Sequence, residues 1–214
     1  LLHPGKVTPA IATGFLLAGQ DMPDINLLAE RRHMLLNEMT STVGSALLGL
    51  TLNCAQCHDH KFDPVSLREF YQMRAFFESD LQLKEGVVEK VAIRAMRAGK
   101  PTPTHVMQLG DFRRPGEVVK AAFPGAINTI KSQPVQGTRT EMAAWLTHPE
   151  NAPAMRMAVN RLWQQHFGRP LASPEDFGTQ GQPPTHPALL DWMATELPRQ
   201  GWSLKAMHKL IVTS

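Results

Sequence analysis

Apolar residues recur at helical intervals through Ile25, Leu28, Met34 or Leu35, Met39, Val43, Leu47 and Leu50, with Glu30, Arg31, Arg32, Asn37 and Glu38 between them. The pattern predicts one long helix, or two with a break near Thr40 to Thr42, opened by Asp24 as N-cap and delivering Cys54 at its C-terminal end. Ser66 and Glu69 then form a capping box, which predicts a helix carrying Leu67, Phe70, Tyr71 and Phe77 on one side. Before Asp24, scattered Pro and Gly predict loop with one turn of helix at Ala10 to Leu17.

Periodicity fades between residues 80 and 137. Val87 to Met96 fits a short helix, His105 to Leu109 fits a strand, and Gly110, Pro115, Gly116, Pro124, Gly125, Pro134 and Gly137 mark successive turns. Helical signals return at Thr138, which pairs with Glu141 as a second capping box. Asn151 with Pro153 opens a helix carrying Met155, Val159, Leu162, Trp163 and His166 as far as Gly168. Ser173 to Asp176 suggests one more turn. Thr185 caps a helix with Leu189, Leu190, Met193 and Leu197, and Ser203 opens the last one with Leu204, Met207 and Ile211. The expected fold is mainly α: two helical units, 1–80 and 138–214, joined by an irregular Pro/Gly-rich connector, 81–137, with at most a short β hairpin.

Composition narrows the function classes. With 214 residues and 43% apolar content, the chain has enough apolar side chains for a sizeable core. Lys and Arg (22) exceed Asp and Glu (19) by only three, with no basic run, so nucleic acid is not an expected partner. Runs such as Ala46 to Leu50 are far too short to span a bilayer. The start at Leu1 and the stop after a helical pattern at Ser214 are those expected of an internal piece of a longer chain. No nucleophile motif such as G-x-S-x-G is present, and no catalytic residues are assigned.

Both cysteines lie in Cys54-Ala55-Gln56-Cys57-His58, the C-x-x-C-H pattern that attaches c-type haem. In that chemistry Cys54 and Cys57 bond the haem vinyl groups and His58 is an axial ligand of the iron. The same spacing also serves zinc and dithiol redox chemistry. With His58, Asp59, His60 and Asp63 close by, a zinc, calcium or other bare-metal site built on Cys54, Cys57, His60 and Asp63 is the competing reading, as part of a helical binding or scaffold module. Asp59, His60, Lys61 and Asp63 could instead hold haem propionates, orient His58, or only cap the turn into the following helix. Asn160, Arg161, His166, Asp176, His186 and His208 could converge on a second polar pocket.

Leu48 to Pro64, with Phe70-Tyr71 and Ala75-Phe76-Phe77 after it, is similar to the second cytochrome-like domain of the large planctomycete-specific cytochrome-c-like proteins. Gly110 to Val119 resembles the connector of those proteins. Val159 to Arg169, Asp176-Phe177-Gly178, Gly181 to Pro187 and Gly201 to Ala206 resemble the planctomycete-specific domain that follows. The resemblance implies the C-terminal part of a cytochrome-like domain over 1–80 and the N-terminal part of the specific domain over 138–214, both without an established activity. It further implies export to the periplasm or cell surface, covalent haem c at Cys54, Cys57 and His58, and an electron-transfer role with a redox protein or other domains of the same chain as partner. The sixth iron ligand stays open among Met73, Met96, Met107, His33 and His105.

Overall fold

The first periodic stretch folds as one helix, without a break at Thr40 to Thr42, and the Thr40 hydroxyl is turned back to donate to the Leu36 carbonyl at 2.8 Å. In the computed structural model, which describes residues 25–78, 82–88, 91–97, 102–130 and 135–214, this helix is α1, Leu28–Val43. Asp24 lies outside the described residues, as does the turn expected at 10–17. Helix α1 starts after Leu27, without a side-chain cap hydrogen bond. It runs on into one π-helical turn, Gly44–Leu48, and stops at Gly49, whose φ of 67° puts it in the left-handed region while its N–H bonds the Gly44 carbonyl. Cys54 is therefore not on the end of the helix. It lies in a separate 3₁₀ turn, Leu52–Gln56.

Helix α2, Leu67–Glu78, opens with the predicted box: the Ser66 N–H donates to Glu69 Oε2 at 2.8 Å and the Glu69 N–H to Ser66 Oγ at 3.2 Å. Its apolar face, Phe70, Tyr71, Met73, Phe76 and Phe77, is wholly buried. The short helix expected at Val87 to Met96 is not formed. That stretch belongs to an antiparallel pair, β1 Gln82–Val88 and β2 Val91–Arg97. The β-branched Val87, Val88, Val91 and Ile93 favour strand over helix there. A second pair joins β3, Thr104–Met107, to β4, Pro115–Val119, with a register shift between His105 and Met107. Thus the strand expected at His105 to Leu109 is shorter, and Leu109 and Gly110 instead turn the chain with φ of 53° and 74°.

Four more helices follow: α3 Arg139–Leu146, α4 Ala152–Phe167, α5 Pro187–Arg199 and α6 Leu204–Val212. Thr138 and Glu141 form the capping box of α3, while Asn151 and Ser203 cap α4 and α6. Thr185 does not cap α5. Its N–H and hydroxyl both bond the Leu171 carbonyl, at 2.8 and 3.2 Å, so His186 takes the N-cap position with Pro187 in the first turn. The helical turn expected at Ser173 to Asp176 is also absent, because the Asp176 carboxylate accepts from the Gly178 N–H at 2.8 Å and closes a local turn instead.

The fold is mainly α with two short antiparallel pairs among the described residues. One buried cluster extends from α1 and α2 to α3 through α6. Its visible joint is a stack of three rings: Phe76 of α2 against Phe123 at 4.8 Å, and Phe123 against Trp145 of α3 at 4.3 Å, nearly parallel.

Candidate functional site

Three residues per turn place positions three apart on one edge of a 3₁₀ helix. Leu52 and Ala55 take the inner edge and are buried, whereas Cys54 is exposed and Cys57 half-buried, both as free thiols. The spacing that matches the haem attachment pattern is thus also the spacing that turns both thiols outward. They border an open cavity of about 440 Å³ with Gln56, His58, Lys61 and Phe62.

Gln56 anchors this turn from beneath. Its Oε1 accepts from Asn37 Nδ2 at 3.0 Å, its Nε2 donates to Asn53 Oδ1 at 3.0 Å, and its carbonyl accepts from the Tyr71 hydroxyl at 3.0 Å. Burial pushes the Tyr71 hydroxyl up to about 12, so it stays a donor across the ordinary pH range. Arg74 Nη1 donates to both Asn37 Oδ1 and His33 Nδ1, each at 3.0 Å. The buried guanidinium is balanced by Glu78, whose Oε2 lies 3.3 Å from Arg74 Nε, and Arg32 reaches the same carboxylate. Burial, reinforced by the Arg74 charge, holds His33 down at about 4. The contacts from Asn37 and Tyr71 to Gln56, and from Arg74 to Asn37 and His33, are not local in sequence, and Gln56 carried no signal beyond its place inside the motif.

The two histidines after the motif have opposite tautomers. His58 Nδ1 lies 2.6 Å from the Asp59 carbonyl oxygen, which can only accept, so Nδ1 carries a proton and in the neutral ring Nε2 keeps the lone pair. His60 Nδ1 instead accepts from the N–H groups of Phe62 and Asp63 at 3.3 and 2.8 Å, and its protonated Nε2 donates to Thr51 Oγ1 at 3.1 Å. His58 is exposed and presents a ligating nitrogen, while both nitrogens of His60 are used within the loop. Asp59 caps α2 through its Oδ1, which accepts from the Leu67 N–H at 2.8 Å. Asp63 is buried and accepts from the Thr179 N–H at 2.7 Å. The bare-metal set Cys54, Cys57, His60 and Asp63 therefore has its last two members committed to loop and fold. Among the described residues no group of three or more His, Cys, Asp or Glu is arranged to hold a metal ion.

Candidates for a sixth iron ligand are placed as follows. Met73 is fully buried, His33 is held between Arg74 and Asn37, and His105 Nδ1 donates to the Gly116 carbonyl at 3.0 Å. Met107 is half-buried at the end of β3, and Met96 belongs to β2. Close over Cys57 lies Gly110, where an added Cβ would stand 2.6 Å from the sulfur. The polar residues of the second helical unit do not converge on one pocket. His166 Nε2 and His208 Nδ1 meet at 2.7 Å, but Asn160 binds the backbone of Leu171 and Ala172, Asp176 closes its own turn and His186 bonds Thr185. No helix of the described residues is long and apolar enough to cross a membrane.

Comparison with known families agrees with this order of parts. Residues 1–81 match the model PSCyt2, described as a protein of unknown function (DUF1549), and residues 138–214 match PSD1, likewise of unknown function (DUF1553). No curated protein and no solved structure matches the chain.

Proposed function

Since the chain belongs to the family in which a planctomycete cytochrome-like domain precedes a planctomycete-specific domain, we propose that it is the c-type haem-binding, electron-transfer module of a larger exported protein. The observation that carries this reading is the tautomer of His58. An Nε2 lone pair, fixed by the bond from Nδ1–H to the Asp59 carbonyl, opens beside two free thiols on the rim of one cavity.

The donor set fits haem c. Cys54 and Cys57 would hold the group through thioethers, and His58 would bind its iron through Nε2. When bound, the haem iron supplies one-electron redox chemistry. The chain's own contribution is positional: Gln56, Tyr71 and Asn37 fix the turn from below, so the two sulfurs and the imidazole keep one relative placement. Lys61, on the cavity rim, offers a cation for a carboxylate of the bound group. Covalent attachment belongs to the extracytoplasmic side of a membrane, and the natural partner is a redox protein or a further domain of the same protein. The competing bare-metal scaffold loses support from the commitment of His60 and Asp63 described above.

Expression of the chain behind a periplasmic signal with the c-type maturation machinery, followed by a pyridine haemochrome spectrum and metal analysis of one sample, tests the proposal. A c-type α-band with one iron per chain is expected. It should vanish when Cys54 and Cys57 are both replaced by Ala, while the second helical unit stays folded. Zinc or calcium in folded, haem-free protein would refute it.

A further inference from the structure

The segment that carries the thiols runs from Gly49 to Asp63, held to the core along its inner edge by Leu50, Leu52 and Ala55, and one turn of the second helical unit binds both of its ends. The Phe177 N–H donates to the Gly49 carbonyl at 2.6 Å, and the Thr179 N–H donates to Asp63 Oδ1 at 2.7 Å. Between them, Gly178 passes so close to the Asp63 carboxylate that a Cβ there would stand 2.6 Å from Oδ1. On the other side Gly49 leaves no room either: a Cβ would meet Met157 Cε at 2.9 Å and the Phe177 ring at 3.0 Å. The turn is itself fixed, by the bond from the Gly178 N–H to the Asp176 carboxylate.

We propose that the Asp176–Thr179 turn is a positioning element of the thiol site, clamping the two ends of the 49–63 loop so that the second helical unit, together with the support of Gln56 from below, sets the placement of Cys54, Cys57 and His58. Two hydrogen bonds from one turn to the opposite ends of the loop oppose local opening at its base. Asp63 is the residue through which the clamp acts, since its backbone N–H also donates to His60 Nδ1 and thereby ties the clamp to the loop's internal histidine. The consequence for bound haem rests on the function proposed above; the clamp itself does not.

The test uses the full chain with the substitutions Asp63→Ala, Asp63→Asn and Gly178→Ala. In haem-free protein, mass spectrometry follows iodoacetamide alkylation of Cys54 and Cys57, and hydrogen exchange follows residues 50–62. Asp63→Ala and Gly178→Ala should raise the Cys57 rate and the loop exchange by at least about threefold, with exchange in α5 and α6 unchanged. Asp63→Asn keeps an oxygen that accepts from the Thr179 N–H and should behave as the parent. If the glycine variant does not fold, the two Asp63 variants still decide. Parent-like loop behaviour in Asp63→Ala, or an Asp63→Asn variant as loose as Asp63→Ala, would overturn the proposal. In haem-loaded protein Asp63→Ala should shift the Soret band or the midpoint potential while Asp63→Asn does not. Failure of haem to attach to the parent would remove the cytochrome function and leave the thiol result standing.

Discussion

The Tyr71 hydroxyl, on a side chain buried in the α2 face, donates to the Gln56 carbonyl at 3.0 Å and so supports the cysteine turn from inside the core. Phe70 packs edge-on against the same ring at 5.3 Å, and the Arg74 guanidinium lies 5.4 Å from its centroid. The aromatic residues that follow the motif are thus a floor under the loop and the interior of the core at once.

Removing that hydroxyl by Tyr71→Phe should cost about 1 kcal/mol, since a half-buried carbonyl loses its donor while the ring still fills its place. The alkaline behaviour gives a second reading. Burial raises the Tyr71 hydroxyl from 10.0 to about 12, so the folded state holds its proton where the unfolded chain releases it. The parent should therefore lose stability as pH rises from 10 toward 12, and the Phe variant should lose less over that span. Urea titrations at pH 8 and above measure both.

His33 titrates in the opposite sense. Held at about 4 instead of 6.5, it stays neutral in the folded state where the unfolded chain takes up a proton. Its contribution is intact above 6.5 and is lost as pH falls toward 4. Melting temperatures from pH 7 to pH 4 should fall less steeply in His33→Gln than in the parent. Equal slopes would show that other groups dominate the acid limb.

Glu69 joins the cap of α2 to the connector. Besides Ser66, its Oε1 accepts from the Gly125 N–H at 2.8 Å. Burial pushes its carboxyl up, but the donors from Ser66 and Gly125 outweigh this and leave it below the ordinary glutamate value. Glu69→Ala should destabilise the protein by about 1–2 kcal/mol near neutrality. Because the folded value is depressed, that difference should shrink as acid protonates the carboxylate, which calorimetry at pH 7 and pH 3.5 would detect.

Helices were legible wherever a period and a cap coincided. Ser66 with Glu69, Thr138 with Glu141, and Asn151 with Pro153 each predicted a helix start that the structure forms. Thr185 misled because its hydrogen bonds go to Leu171, 14 positions away, and a distant partner leaves no local mark. The thiol pair and His58 were visible as a motif, and the 3₁₀ turn explains their common outward edge. The supports were not visible. Asn37 reaches Gln56 across 19 positions and Thr179 reaches Asp63 across 116, distances at which spacing carries no signal. His60, one member of the alternative metal set in the sequence, uses both nitrogens for turn bonds in the fold.

Gly110 offers the sharpest local test, because two glycines with similar positive φ differ in their surroundings. Gly110 has φ 74° and Gly168 has φ 71°, so replacement by Ala meets the same conformational penalty of about 1 kcal/mol at each. At Gly168 an added Cβ meets nothing within 4 Å, whereas at Gly110 it stands 2.6 Å from Cys57 Sγ and 3.3 Å from the Gln56 carbonyl. Gly168→Ala should therefore cost only the backbone penalty and leave thiol chemistry unchanged. In Gly110→Ala the turn must lift away from Cys57, which raises the total loss to about 2–3 kcal/mol and exposes the sulfur to alkylation. Lifting the turn also removes the Gly110 backbone hydrogen bond, which raises His33, so its titration should move further below 6.5. Proton NMR of the His33 ring, read beside Cys57 alkylation, would show both changes together if one turn covers both groups; a change in either alone would separate them.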